Sequence, residues 1–261
     1  MKKTKKTVLG RRLSHPFSPS LKEFPFHKFI PNLLTLTALS AGLTAIRFAL
    51  MHKWETAVAL VFIAMILDGM DGRVARLLKS TSKFGAELDS LSDFCNFGVV
   101  PGILVYLFSL QDLGKFGWPV VLFYTICMVL RLARFNTLLD QPVGNYFTGV
   151  NAPFGALLAL TPIMISFQFD VLICAKLYGV WLFIVSCLLV SRFPTFSLKK
   201  GKIPRPWILP LFIGVGLAVA LFLSAPWLML SIGSFLYLLS IPFSVYCARE
   251  EKQKASGALI S

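Results

Sequence analysis

Residues 68–93 read DGMDGRVARLLKSTSKFGAELDSLSD and hold five of the chain's twelve acidic residues: Asp68, Asp71, Glu87, Asp89 and Asp93. The sequence on either side is strongly apolar. A carboxylate at membrane depth costs several kcal/mol unless something pairs with it. Aspartates crowded together repel one another and call for cations. Asp68 and Asp71 are three residues apart, and Asp89 and Asp93 four apart, so each pair shares one helical face. Gly85 continues the second face one turn earlier. Two such faces joined by a Lys/Ser/Thr-rich turn form a divalent-metal site of hard oxygen ligands. That donor set suits magnesium, manganese or calcium and does not suit zinc. The competing reading is a buried acidic cluster neutralised by Arg73, Arg76 and Lys79. Pairing alone requires neither the small residues nor so many acids.

Working outward, composition excludes an ordinary soluble domain. Of 261 residues 56% are hydrophobic, and the mean hydropathy is +0.73. Several apolar runs approach the roughly 20 residues that cross a bilayer. The pattern predicts an all-α, polytopic membrane helix bundle of about eight spans. They are Pro31–Leu50, Trp54–Leu78, Leu91–Leu110, Gly117–Arg134, Pro153–Phe169, Lys176–Ser191, Trp207–Leu223 and Trp227–Tyr246. Pro101, Pro162 and Pro242 fall inside spans and are expected to kink them. Residues 1–30 form a basic segment, disordered at its start. Its part from Phe17 to Phe29 reads either as an interfacial amphipathic stretch or as a linker broken by Pro16, Pro19 and Pro25. Residues 31–247 form the transmembrane domain, and 248–261 a cytosolic tail. No cleavable signal peptide is expected.

The net charge of +14 does not point to nucleic acid. With both termini in the cytosol, 22 of the 26 Lys/Arg fall on the cytosolic side, the bias that orients membrane proteins. Asp68 lies 14 residues beyond Trp54, about 21 Å along a helix. Across a hydrocarbon core of about 30 Å, this depth is near the cytosolic headgroups. The five cysteines form no CxxC pair and read as small buried hydrophobes. His15, His27 and His52 lack metal-ligand spacing.

A metal site at that depth can meet a lipid phosphate and a soluble molecule together. Gly72 and Ala75 have almost no side chain, so a ring or pyrophosphate can come close to the helix. Arg76 offers a planar fork to phosphate oxygens, and Thr81, Ser82 and Lys83 add donors on the turn. Arg131, Arg134 and Arg192 end apolar spans on the cytosolic side. They read either as binders of an anionic acceptor and lipid phosphate or as positive-inside anchors.

The whole pattern runs from Asp68 through Asp71-Gly72, Ala75-Arg76, Gly85 and Asp89 to Asp93. It resembles the signature of the CDP-alcohol phosphotransferase family at every fixed position. Members transfer a phosphatidyl or similar group from a CDP-linked donor to an alcohol and release CMP. The resemblance implies that Asp68, Asp71, Asp89 and Asp93 hold one or two divalent ions, Mg2+ or Mn2+, with Ca2+ as the alternative. It implies that Gly72, Ala75, Arg76 and Gly85 line the CDP site, and that Asp93 is also the general base. Outer motifs are similar to the serine-accepting branch: PNLLT from Pro31, SKFGAELDSLSD from Ser82, RLARFN from Arg131 and SRFPTF from Ser191. Asn32 and Thr35, in the first of these, join the expected CDP and phosphate binders. The segment FTGVNAP from Phe147 departs at Asn151 and Ala152 from the expected Gly-Leu-Pro-x-Pro form. Expected partners are CDP-diacylglycerol, L-serine, the lipid bilayer and a second copy in a homodimer, in the inner or plasma membrane of a prokaryote. Glycerol 3-phosphate or inositol phosphate as acceptor, and a divalent-cation transporter, are the competing readings. Transport would place acids along several spans, whereas Glu55, Asp112 and Asp170 sit at outer loops.

Overall fold

The structure, a computed structural model, describes residues 29–138, 146–171, 173–191, 194–196 and 208–257. Arg192 and the basic segment up to residue 28 lie outside these.

The first two helices set the frame. Helix α1 (Ile30–Leu50) opens with Pro31 in its first turn, where a missing N–H costs nothing. It buries a stripe at Thr35, Ala38, Gly42, Ala45 and Ala49, spaced alternately three and four residues. Helix α2 (Trp54–Leu77) returns beside it and buries Ala57, Val61, Ala64 and Asp71. Small side chains on both faces let the two backbones approach closely. The α2 stripe then runs into the acids: Asp68 lies four residues beyond Ala64, and Asp71 three beyond that. Helix α2 stops at Lys79, whose φ of 50° is left-handed, with Ser80 N–H donating back to the Ala75 carbonyl at 2.9 Å.

The third rod is one continuous stretch of helix in three parts: α3 (Lys83–Asp93), a π-helical turn (Phe94–Val99) and α4 (Val100–Phe108). It begins eight residues before the expected Leu91, because Ser82 caps it: its Oγ accepts the Gly85 N–H at 3.0 Å. A 3-10 segment (Leu110–Phe116) leads into α5 (Gly117–Leu138), and α6 (Ala152–Phe169) and α7 (Ala175–Val190) complete the buried core. Helix α8 (Ile208–Ser224) follows. Helix α9 (Pro226–Gly257) runs through much of the expected tail. The added residues AREEKQK are good helix formers, which favours that extension.

Two prolines inside the core show how it is closed. Pro101 has no N–H for the Phe97 carbonyl four residues back, and the Tyr124 hydroxyl donates to that carbonyl instead, at 2.7 Å. Pro162 likewise leaves the Leu158 carbonyl without its helical donor, and Trp181 Nε1 supplies one at 2.8 Å. Both freed carbonyls therefore tie neighbouring helices together.

Among the described residues the architecture is helical apart from one feature beyond the all-α expectation. Strand β1 (Tyr146–Thr148) pairs antiparallel with β2 (Pro194–Phe196), Phe147 opposite Thr195. These residues are mostly aromatic or β-branched, which suits a pleated ribbon. It links the chain after α5 to the chain after α7.

Ile30–Leu50, Lys83–Phe108, Leu110–Thr137 and Ala152–Phe169 are long and apolar enough to cross a membrane. Ala175–Val190, Phe212–Ser224 and Pro226–Pro242 are apolar but shorter. Helix α2 has the length, yet Asp68, Asp71, Arg73 and Arg76 make its last turns polar.

Candidate active site

The end of α2, the start of α3 and the start of α1 converge around the aspartates. One oxygen each from Asp68, Asp71 and Asp89 lies within 4.8 Å of the others. Each is fixed differently. Asp71 is 4% exposed, so its oxygens need partners within the protein. Oδ2 accepts from the Thr35 hydroxyl at 2.6 Å, and Oδ1 accepts from the N–H of the next residue, Gly72. Thr35 thus serves as a positioning partner of a candidate ligand. Asp68 Oδ1 is buried with no hydrogen-bond partner. Asp89 lines an adjoining cavity.

Asp93 stands outside that trio. Its carboxyl meets that of Asp68 and feels the charge of Arg131, while its own Oδ1 is buried and unpartnered. A buried carboxylate oxygen without a donor is costly, and two such atoms in one cluster are the kind of donors a cation takes. The oxygen-only donor set, three carboxylates within reach of one point, suits a hard divalent ion.

The adjoining cavity, about 420 Å³, lies between the starts of α1 and α3 and the end of α2. Asn32, Thr35, Gly72 and Ala75 line it, as do Arg76, Ser82 and Gly85. Lys83 is exposed next to Ser82 and does not line it. A Cβ built on Gly72 would meet nothing within 4 Å. Packing therefore does not demand glycine at this position, and the bare backbone leaves room for a ligand. Gly85 differs: its Cβ would press on Asn32 Oδ1 at 3.0 Å and Ser82 Oγ at 3.2 Å. Arg76 Nε donates to the Gly72 carbonyl at 3.1 Å, which holds its guanidinium beside the cavity.

On the other side of Asp93, α5 presents the two described arginines of the expected acceptor site, and they part company. Arg131 is buried and donates from Nε to the Val150 carbonyl at 2.8 Å and from Nη2 to Asn151 Oδ1 at 3.2 Å. Arg134 turns to the C-terminal end of α7, donating to the carbonyls of Val190 (2.9 Å), Ser191 (3.2 Å) and Leu189 (3.4 Å). Those carbonyls are the unsatisfied end of a helix, where a cation is favoured. Arg134 therefore caps α7.

Several supporting residues are missing from the sequence reading. Ser92 Oγ donates to the Thr35 carbonyl at 3.4 Å and accepts from Asn96 Nδ2 at 3.2 Å, tying α3 to α1 beside the acids. Asn136 Nδ2 donates to Ser90 Oγ at 2.9 Å, tying α5 to the same helix. The four-residue spacing of Ser92 and Asn96 is a visible signal for the first. The second joins positions 46 apart and has no local signal.

Comparison with known proteins places this geometry. The profile described as CDP-alcohol phosphatidyltransferase matches residues 28–192, and that described as CDP-alcohol phosphatidyltransferase 2 matches residues 206–242. A Mycobacterium tuberculosis protein named CDP-diacylglycerol–serine O-phosphatidyltransferase is 38% identical over 229 residues, covering 85% of this chain and 80% of the relative. A Helicobacter pylori protein of the same name is 36% identical, covering 82% of this chain and 90% of the relative. An archaetidylserine synthase of Methanothermobacter thermautotrophicus is 35% identical over 129 residues, 49% of this chain and 54% of the relative.

Proposed function

Because this chain belongs to the CDP-alcohol phosphatidyltransferase family, we propose that it transfers the phosphatidyl group of CDP-diacylglycerol to the hydroxyl of L-serine, giving phosphatidylserine and CMP. The observation that carries this reading is the Asp68–Asp71–Asp89 cluster opening onto a cavity with a bare Gly72 wall. The names of the relatives support serine as acceptor.

The residues divide the work. Gly72 and Ala75 let the nucleotide approach the α2 backbone, and Arg76 supplies a fork for phosphate oxygens. Asp68, Asp71 and Asp89 would hold a divalent ion, Mg2+ or Mn2+, which when bound neutralises negative charge on the pyrophosphate. Thr35 keeps the Asp71 carboxylate turned to the cluster. Asp93 takes the proton from the serine hydroxyl as its oxygen attacks the phosphatidyl phosphorus and the bond to CMP breaks. Arg131, whose charge reaches Asp93, lies on the side where the serine carboxylate would sit. The reaction takes place at the cytosolic leaflet of an integral membrane protein that crosses the bilayer eight times and forms a homodimer.

The test is CMP release by the purified protein with CDP-diacylglycerol and a panel of acceptors. Serine-dependent release is expected. Release that follows glycerol 3-phosphate or an inositol phosphate and ignores serine would reassign the acceptor.

A further inference from the structure

Asn151 precedes α6 at its N-cap, where an asparagine side chain ordinarily accepts from the helix's own N–H groups. Here it makes no such capping bond. Its Oδ1 accepts from Arg131 Nη2 at 3.2 Å, and its backbone N–H donates to the Tyr237 hydroxyl at 3.4 Å. Tyr237 belongs to α9, 86 residues away, and its ring stacks on Phe154 of α6 at 4.2 Å and 9°. Val150, one residue before, accepts from Arg131 Nε at 2.8 Å. The guanidinium is thus clamped on one edge by two consecutive residues, and the second of them is braced by the last helix. Arg131 Nη1 has no hydrogen-bond partner among the described residues, and the charge of this arginine reaches Asp93.

We infer that Asn151 and Tyr237 are positioning residues for acceptor recognition: Tyr237 braces Asn151, Asn151 holds Arg131, and Arg131 presents its free edge to the carboxylate of the amino-acid acceptor beside Asp93. The inference rests on the proposed serine reaction. It gives α9, remote in sequence from the aspartates, a part in selecting the acceptor. Proline in place of Asn151 would supply neither the N–H that Tyr237 accepts nor the amide oxygen that Arg131 reaches.

The backbone makes a clean test available. Asn151 has φ −65°, the value proline imposes, so Asn151→Pro suits the backbone at this residue and removes both the N–H and the amide. Tyr237→Phe keeps the stacked ring and removes the hydroxyl alone. The measurements are serine KM, kcat and CDP-diacylglycerol affinity for the unmutated enzyme, both single variants and the double variant. Loss of one ordinary hydrogen bond predicts a rise in serine KM of about three- to tenfold for Tyr237→Phe, with donor affinity unchanged. In the Asn151→Pro background the same substitution should add nothing, because its partner is gone. In an Asn151→Ala background, which keeps the N–H but removes the amide that reaches Arg131, it should likewise add nothing, and an effect retained there would mean that Tyr237 acts by another route. This arm carries the test if the proline variant fails to fold. An unchanged serine KM in Tyr237→Phe, a full additive effect beside Asn151→Pro, or equal losses in serine and donor binding would overturn the inference alone. Absence of any serine-dependent CMP release from the unmutated enzyme would overturn the proposed function, and the inference with it.

Discussion

At the scale of single residues, the aspartates differ by what surrounds them. Asp71 is held on both oxygens, by Thr35 and by the Gly72 N–H, whereas Asp93 keeps a buried oxygen without any donor. A group already saturated with donors is a poor proton acceptor, and an unsatisfied one beside the acceptor side is a better candidate. Asp93→Asn preserves size and one oxygen but cannot take a proton. Turnover should fall by about 10²–10⁴-fold, while CDP-diacylglycerol affinity changes little. Asp89→Asn removes a member of the trio, so Mn2+ binding, read by electron paramagnetic resonance, should weaken along with turnover. Weak donor binding but normal kcat in Asp93→Asn at saturation would make Asp93 a ligand only. Gly72 gives a prediction of opposite signs. Its Cβ position is empty, and replacing glycine by alanine inside a helix gains about 0.5–1 kcal/mol. Gly72→Ala should therefore raise the thermal midpoint slightly while lowering donor affinity. A loss of stability would place a packing neighbour where the structure shows space.

At the scale of elements, the acids were legible because two short spacings, three and four residues, fall inside an apolar chain where charge needs a reason. Helix α2 was legible to within one residue of its end, and α3 in part: Gly85, Asp89 and Asp93 were read on one helical face, while the span itself was expected to start at Leu91. The first eight residues of α3, KFGAELDS, mix charged and apolar side chains outside the long apolar run, and the Ser82 cap, a single hydroxyl on a backbone N–H, marks where it starts. The different fates of Arg131 and Arg134 were also hidden. Both sit on α5 three residues apart, and only the arrival of α7 from a distant part of the chain turns Arg134 to its carbonyls. The partners of the proline-freed carbonyls were hidden for the same reason. Pro101 and Pro162 announce an interrupted helix, yet Tyr124 and Trp181 can be found only in three dimensions. Tyr124 is fully buried, so Tyr124→Phe would leave the Phe97 carbonyl orphaned in the core. The expected cost is about 1–3 kcal/mol, read as a lower thermal midpoint at unchanged serine KM. A variant as stable as the parent would mean that the π-helical turn satisfies that carbonyl by itself.

At the scale of the whole molecule, one end of the bundle gathers the chemistry. The turn between α2 and α3, the β1–β2 ribbon and the Arg134 cap all lie where α1, α3 and α6 begin and where α2, α5 and α7 end. The opposite end holds the α1–α2 turn at His52, the 3-10 segment and the left-handed Asp170 that closes α6. In the proposed eight-span topology, 22 of the 26 Lys/Arg of the sequence fall on the cytosolic side. Lysine and arginine near the ends of spans tend to stay in the cytosol, so this asymmetry predicts that the aspartate end of the bundle faces the cytosol. It also sets the depth of the site. Helix α2 has 24 residues, about 36 Å at 1.5 Å each, and exceeds the roughly 30 Å of hydrocarbon. In the proposed topology, with Trp54 at the far interface, Arg76 would emerge into the cytosolic headgroups, with Asp68 and Asp71 just beneath them. Two consequences can be measured in one set of cysteine-labelling variants in sealed vesicles of known orientation. A cysteine replacing Ser80, in the α2–α3 turn, and one replacing Ser261 should both react with an impermeant thiol reagent only from the cytosolic face. A cysteine replacing His52 should react only from the opposite face. Labelling of positions 80 and 261 from opposite faces would require an odd number of crossings between them and would rule out the eight-span topology.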